Sequence, residues 1–232
     1  ISSNNDVQKQ LETRTIGTLK ICPIVNGLWQ ISGYKWNNKD VLNKSVKSMF
    51  EYSKNNLNTW DGADIYRGSE LIMGLHKKNK GNGIYFTKYV ESELKSKSYI
   101  IDIIKNQCKT MNTTSLDLLQ FHWWDYNDKD YITVLKHLKD IRDNKKLIKN
   151  LGLTNFNTDS LKLMYKHIKD INIVSNQIPY SIIDTRFENN MLPFCQKNGI
   201  KILTYGTLLG GFLSNKWLGK SEPSNNELSN IS

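Results

Sequence analysis

Arginine is nearly missing from this chain, with only Arg14, Arg67, Arg142 and Arg186 among 32 basic residues. The formal charge of +10 therefore rests on lysine, and the lysines are scattered through asparagine-rich stretches. Arginine is the side chain favoured for bidentate phosphate and base-edge contacts, so no nucleic-acid partner is expected. Cysteine is scarce too: Cys22, Cys108 and Cys195 are odd in number and lack CxxC spacing. That excludes a disulfide framework and a cysteine-based metal set, and it suits reduced thiols in the cytoplasm. No apolar run approaches the length needed to cross a bilayer. Ile1–Gln10 lacks the apolar stretch of a secretory signal. A cytoplasmic protein without a membrane partner is the expectation. No GxGxxG follows the first predicted strand, which removes the fingerprint of a Rossmann fold.

What the 232 residues do contain is alternation. Thr15–Ile21 reads as an N-terminal hairpin or lid, and Ile24–Trp29 as a first strand. Six more strands are predicted at Leu57–Asp61, Ile84–Thr87, Leu116–Phe121, Leu147–Leu153, Ile173–Ser175 and Ile200–Thr204. Apolar residues at helical spacing lie between them. The helices are predicted to start at an Asp40 cap, at Ser69, at a Ser98 cap, near Tyr131 and at a Thr158 cap. A short helix at Leu192–Asn198 stops at Gly199. Strands alternating with helices predict an α/β fold with a parallel sheet. Without the Rossmann fingerprint the pattern favours a (β/α)8 TIM barrel, incomplete, with about seven strands present. One domain is expected over residues 1–232, with a core at 15–213 and a polar tail or loop start at 214–232.

Six predicted strands end in a residue able to do chemistry: Asp61, Lys88, His122, Asn155, Gln177 and Tyr205. In a barrel these ends converge on one mouth. A lone lysine there usually faces water, and a lone histidine beside two tryptophans usually satisfies a core hydrogen bond. Their joint placement on successive strands is what those ordinary roles leave unexplained. The shared chemistry is proton transfer coupled to hydride transfer. Tyr66 is a poor acid near neutrality unless its pKa falls from about 10, and a neighbouring Lys88 ammonium is expected to lower it. Asp61 can hold Lys88 charged and in place. His122 can hydrogen-bond a carbonyl oxygen as charge develops on it. Asn155 and Gln177 suit a carboxamide, and Tyr205 offers a flat face for a ring.

The segments WDGADIY, FTK and QFH resemble the catalytic segments of the aldo-keto reductase family. The resemblance runs from about Thr15 to Leu213 and implies a catalytic tetrad of Asp61, Tyr66, Lys88 and His122. The Asp-to-Tyr spacing of five residues favours Asp61 over Asp64. GLTNF and NQIPYS resemble the segments that bind the nicotinamide carboxamide, which implies Thr154, Asn155 and Gln177. LTYGTLLGGFL resembles the segment that carries the stacking tyrosine, which implies Tyr205 with Gly206, Thr207 and Leu208. Trp29 and Trp123 resemble pocket-lining aromatics, with ordinary packing at the barrel rim as the other reading; Trp29 and Asp61 are also implied at the cofactor. Arg67 is a weaker candidate. Together these imply reduction of a small aldehyde or ketone with NADPH, Tyr66 protonating the oxygen, and no metal.

Family members continue through a seventh helix, an eighth strand and the segments that bind the 2′-phosphate and adenine. Nothing after Lys220 resembles those segments, so the chain is expected to be a fragment or a truncated barrel. Two alternatives follow from the resemblance. One is a non-catalytic, cofactor-sensing subunit resembling the β subunits of potassium channels. The other is an inactive truncated barrel.

Overall fold

The structure is a computed structural model that describes residues 12–32 and 39–224. Seven parallel strands form one sheet in chain order: β3 (Asn26–Gly27), β4 (Thr59–Asp61), β5 (Ile84–Glu91), β6 (Leu116–Trp123), β7 (Ile148–Thr154), β8 (Ile173–Pro179) and β9 (Lys201–Tyr205). The sheet curls into an open half-barrel whose edges are β3 and β9. An antiparallel hairpin, β1 (Arg14–Ile16) and β2 (Leu19–Ile21), precedes it. Helices α1 (Lys39–Lys54), α2 (Ser69–Lys78), α3 (Lys97–Thr110), α4 (Tyr131–Asp140), α5 (Thr158–His167) and α6 (Phe187–Lys197) fill the connections.

The sequence pattern explains the layering. Alternate strand residues such as Leu119, Phe121, Trp123, Leu151 and Leu153 face the helices and join one buried core with Ile104, Leu135, Leu138 and Leu161. Opposite residues face the barrel interior. There Phe86, Leu118 and Val174 pack with Ile16 and Ile21 of the hairpin, which plugs the end of the half-barrel away from the candidate chemistry.

Several predicted boundaries shift. The α3 cap is Ser96, whose side chain accepts from Tyr99 N at 3.3 Å, not Ser98. The α5 cap is Asn157, accepting from Ser160 N at 2.8 Å, while Thr158 is the first helical residue. Asp40 lies inside the first turn of α1, where its charge favours the helix N-terminus rather than capping it. β5, β6 and β8 all run past their expected ends, because the parallel ladder continues to Glu91, Trp123 and Pro179. α6 begins five residues earlier than Leu192 and carries Pro193 internally, with Met191 and Cys195 buried beneath it.

Gly17 makes the hairpin turn. Its φ is +56°, and a Cβ there would meet Asn150 Oδ1 at 2.1 Å. That same oxygen accepts from Thr18 N at 3.0 Å, and Asn150 Nδ2 donates back to Thr18 Oγ1 at 2.9 Å. Gly17→Ala combines a left-handed backbone with a steric conflict and is expected to cost about 1–3 kcal/mol. Urea unfolding of the two proteins measures it; equal midpoints would show that the turn relaxes freely.

Candidate active site

The C-terminal strand ends gather the polar residues. Ladder register sets Lys88 beside Gln120 and Gln120 beside Gly152, and one level up His122 beside Thr154 and Thr154 beside Gln177. At the centre Lys88, 1% exposed, donates to Asp61 Oδ2 at 2.5 Å and to Gly62 O at 2.9 Å. The loop after Asp61 is held tightly. Gly62 N donates to Phe86 O at 3.0 Å, and Ser69 Oγ donates to Ala63 O at 3.1 Å. A Cβ on Gly62 would stand 2.6 Å from Met73 Cε and 2.8 Å from Ser69 Oγ, so a side chain there would have to displace both.

That loop delivers Tyr66. Lys88 Nζ lies 4.9 Å from the Tyr66 ring centroid, and Trp29 meets the same ring edge-on at 4.8 Å. The expected lowering of the Tyr66 pKa is not what this environment produces. Burial, followed by the nearby Asp61 carboxylate, pushes the phenol up to about 12. The ammonium is committed to Asp61 and Gly62 and sits over the ring face. Tyr66 therefore keeps its proton through the neutral range.

His122 is half-buried, and burial together with the Lys88 charge holds its pKa below the usual imidazole value, so the ring is neutral at pH 7. Its Nε2 is 3.4 Å from Asn155 Nδ2, and Tyr205 Oη donates to Asn155 Oδ1 at 2.9 Å. Asn155 adopts φ 60°, a left-handed conformation that asparagine tolerates better than most residues. Thr154 Oγ1 is buried without a hydrogen-bond partner. Gly206, Thr207 and Leu208 lie on the exposed loop that leaves β9, and Gly206 takes φ 69°.

One candidate is misplaced. Trp123 is fully buried, its Nε1 donates to Asp125 O at 2.8 Å, and its ring packs on Phe121. Strand alternation turns it toward the helices. Trp124, 61% exposed, lies 4.7 Å from the His122 ring and takes the rim position instead.

Three functional neighbours escaped the sequence reading. Gln120 Nε2 donates to Asp61 Oδ1 at 2.7 Å; its period-two spacing to His122 was the available signal. Glu70 accepts from Thr87 Oγ1 at 2.6 Å and from Gln107 Nε2 at 3.0 Å. Gln107 also donates to Lys88 O at 2.9 Å, which ties the β5 backbone to α3. Nothing in the local sequence marks that long-range pair.

Asp64 turns away from Lys88 and toward backbone. Its carboxylate accepts from Val90 N at 3.1 Å and from Ile65 N at 2.8 Å. Burial, only partly offset by these bonds and increased by nearby Glu70, raises its pKa to about 7. An unfolded aspartate titrates near about 3.9. Between those values the folded state binds more protons than the unfolded one. This group's contribution is thus fully favourable below the lower value and is lost as pH rises to the upper one. Wild type is expected to lose stability relative to Asp64→Asn as pH rises from about 4 to about 7. Urea unfolding across that range checks it, and parallel curves would count against the buried-acid assignment.

Residues 23–230 match the Aldo/keto reductase family. The chain belongs to that family. The aldo-keto reductase YhdN of Bacillus subtilis is 26% identical over 204 residues, spanning 82% of this chain and 59% of the relative. The glycerol dehydrogenase of Gluconobacter oxydans superposes with a TM-score of 0.77 at 21% identity, over 94% of this chain and 70% of that one. An aldo/keto reductase from Klebsiella pneumoniae, solved with NADP and acetate, gives 0.76 at 18% identity over 90% and 73%. The chain thus spans about three-fifths of the curated relative's length. Among the described residues no helix is long and apolar enough to cross a membrane.

Proposed function

We propose that this site reduces a small aldehyde or ketone with NADPH. The observation that carries the reading is the buried Lys88–Asp61 pair at 2.5 Å, with its ammonium 4.9 Å from the Tyr66 ring centroid. A buried ion pair is a poor source of stability, and this one adjoins a titratable phenol, a neutral imidazole and two exposed tryptophans.

The residues present fit a nicotinamide. Thr154 Oγ1 is an orphaned buried hydroxyl suited to a carboxamide, and the Asn155 and Gln177 amides adjoin it, with Gln177 Nε2 already donating to Asp61 and Gln120. Tyr205 offers a ring face at the same end of the sheet, with Gly206, Thr207 and Leu208 following on the loop and Trp29 across the mouth. When bound, the reduced cofactor supplies the hydride. Tyr66 gives its phenolic proton to the carbonyl oxygen as negative charge builds there. Its high pKa is no obstacle, because an alkoxide is a far stronger base than a phenolate. Lys88, over the ring, stabilises the phenolate left behind, and Asp61 holds Lys88 in place. His122, neutral, hydrogen-bonds the same oxygen and orients it.

Aldehyde-dependent NADPH oxidation by the chain tests this directly, with nucleotide binding followed by quenching of tryptophan fluorescence. Quenching without any turnover across a broad aldehyde panel would sink the catalytic reading.

A further inference from the structure

Gln120 is a buried polar side chain to which the proposed chemistry assigns no role. It is 0% exposed and sits on β6, two residues before His122, between Lys88 and Gly152 in the ladder. Its Nε2 donates to Asp61 Oδ1 at 2.7 Å, and its Oε1 accepts from Gln177 Nε2 at 3.2 Å. Gln177 also donates to Asp61 Oδ2 at 3.3 Å, the oxygen that receives Lys88 Nζ. Both Asp61 oxygens therefore have donors, and the rotation of the carboxylate about its Cβ–Cγ bond is set by contacts on either side.

The surroundings make an amide at this position unexpected on packing grounds alone. The layer beneath it is apolar, built from Phe86, Leu118 and Val174. A buried amide is unfavourable there unless its hydrogen bonds are used.

We propose that Gln120 is a positioning residue: by holding one Asp61 oxygen it fixes the carboxylate plane so that the other faces Lys88, and it links that carboxylate to Gln177. The proposal rests on the carbonyl-reductase reading of the same site. Without the amide the carboxylate turns, and the ammonium it holds moves relative to the Tyr66 ring. Misalignment of this kind lowers turnover more than substrate affinity.

Gln120→Met keeps the length and removes the hydrogen bonds. Its kcat is expected to fall about 10- to 100-fold, with KM for the aldehyde and Kd for NADPH within about threefold of wild type. In an Asp61→Asn background the same change is expected to add less than about twofold, because the group it positions is already altered. An equal fall in both backgrounds overturns the proposal, since a packing defect acts in either. A second measurement uses no turnover and no Gln120 variant. The Gln120 side-chain amide protons of the wild-type chain should exchange slowly and shift on Asp61→Asn. Fast exchange, or signals indifferent to that change, also overturns it. A wild type that binds NADPH yet reduces no aldehyde removes the reductase reading and leaves the amide measurement to decide whether Gln120 holds Asp61.

Discussion

Tyr66→Phe is expected to lower aldehyde reduction by about 10²–10⁴-fold, the usual contribution of a positioned general acid. The change removes one oxygen and keeps the ring. Its contacts with Trp29 at 4.8 Å and Lys88 Nζ at 4.9 Å are made by the ring itself and should persist. Nucleotide binding and folding stability should accordingly stay close to wild type, so the loss appears in kcat. The buried phenol is pushed up to about 12, so wild type should show no loss of activity from Tyr66 ionising at neutral pH. NADPH oxidation measured at saturating aldehyde separates the two proteins. Rates within twofold of each other would remove Tyr66 from the mechanism.

Lys88→Met is expected to damage the protein more broadly. The side chains of Lys88 and Asp61 are 2% and 10% exposed, so neither charge has much water in reserve. Methionine fills the volume but leaves Asp61 as an uncompensated buried carboxylate. Breaking a buried pair in this way typically costs about 3–5 kcal/mol. Adding Asp61→Asn should recover part of the loss, because no charge is then left alone and the amide oxygen can still accept from Gln120. Urea unfolding of both single variants and the double variant measures the coupling. A Lys88→Met protein within about 1 kcal/mol of wild type would mean that water reaches the pair. Activity should be lost in the single and double variants alike, since the ammonium over Tyr66 is absent from both.

The polar residues were legible because a βα unit carries the C-terminal part of each strand to the mouth, where they stand out against apolar strands, although Lys88, His122 and Gln177 lie inside strands that run on past them. Asp61, Lys88, His122, Asn155, Gln177 and Tyr205 were found that way, and the structure gathers them at one end of the sheet. Trp123 went wrong for a related reason. Reading β6 as ending at Phe121 placed the next tryptophan in a loop, whereas the ladder runs through it and alternation buries it. Gln120 offered only a weak signal, its period-two spacing to His122, because a polar residue inside a predicted strand stands out little until its partners are known. The direction of the Tyr66 shift was unreadable from spacing, since it depends on burial and on which face of the ring Lys88 occupies. Glu70 and Gln107 are 37 residues apart, and only folding reveals the pair.

The hairpin plug has a kinetic consequence. Every neighbour in the seven-stranded sheet is also the next strand in the chain, so each pairing closes only a single strand–helix–strand connection. The contact between Thr18 and Asn150 spans 132 residues, and Ile16 and Ile21 need Phe86, Leu118 and Val174 already side by side. Docking the hairpin thus needs strands β5 to β8 already paired, and it is expected to follow the rate-limiting step of folding. The instability introduced by Gly17→Ala should then appear as faster unfolding, with the refolding rate nearly unchanged.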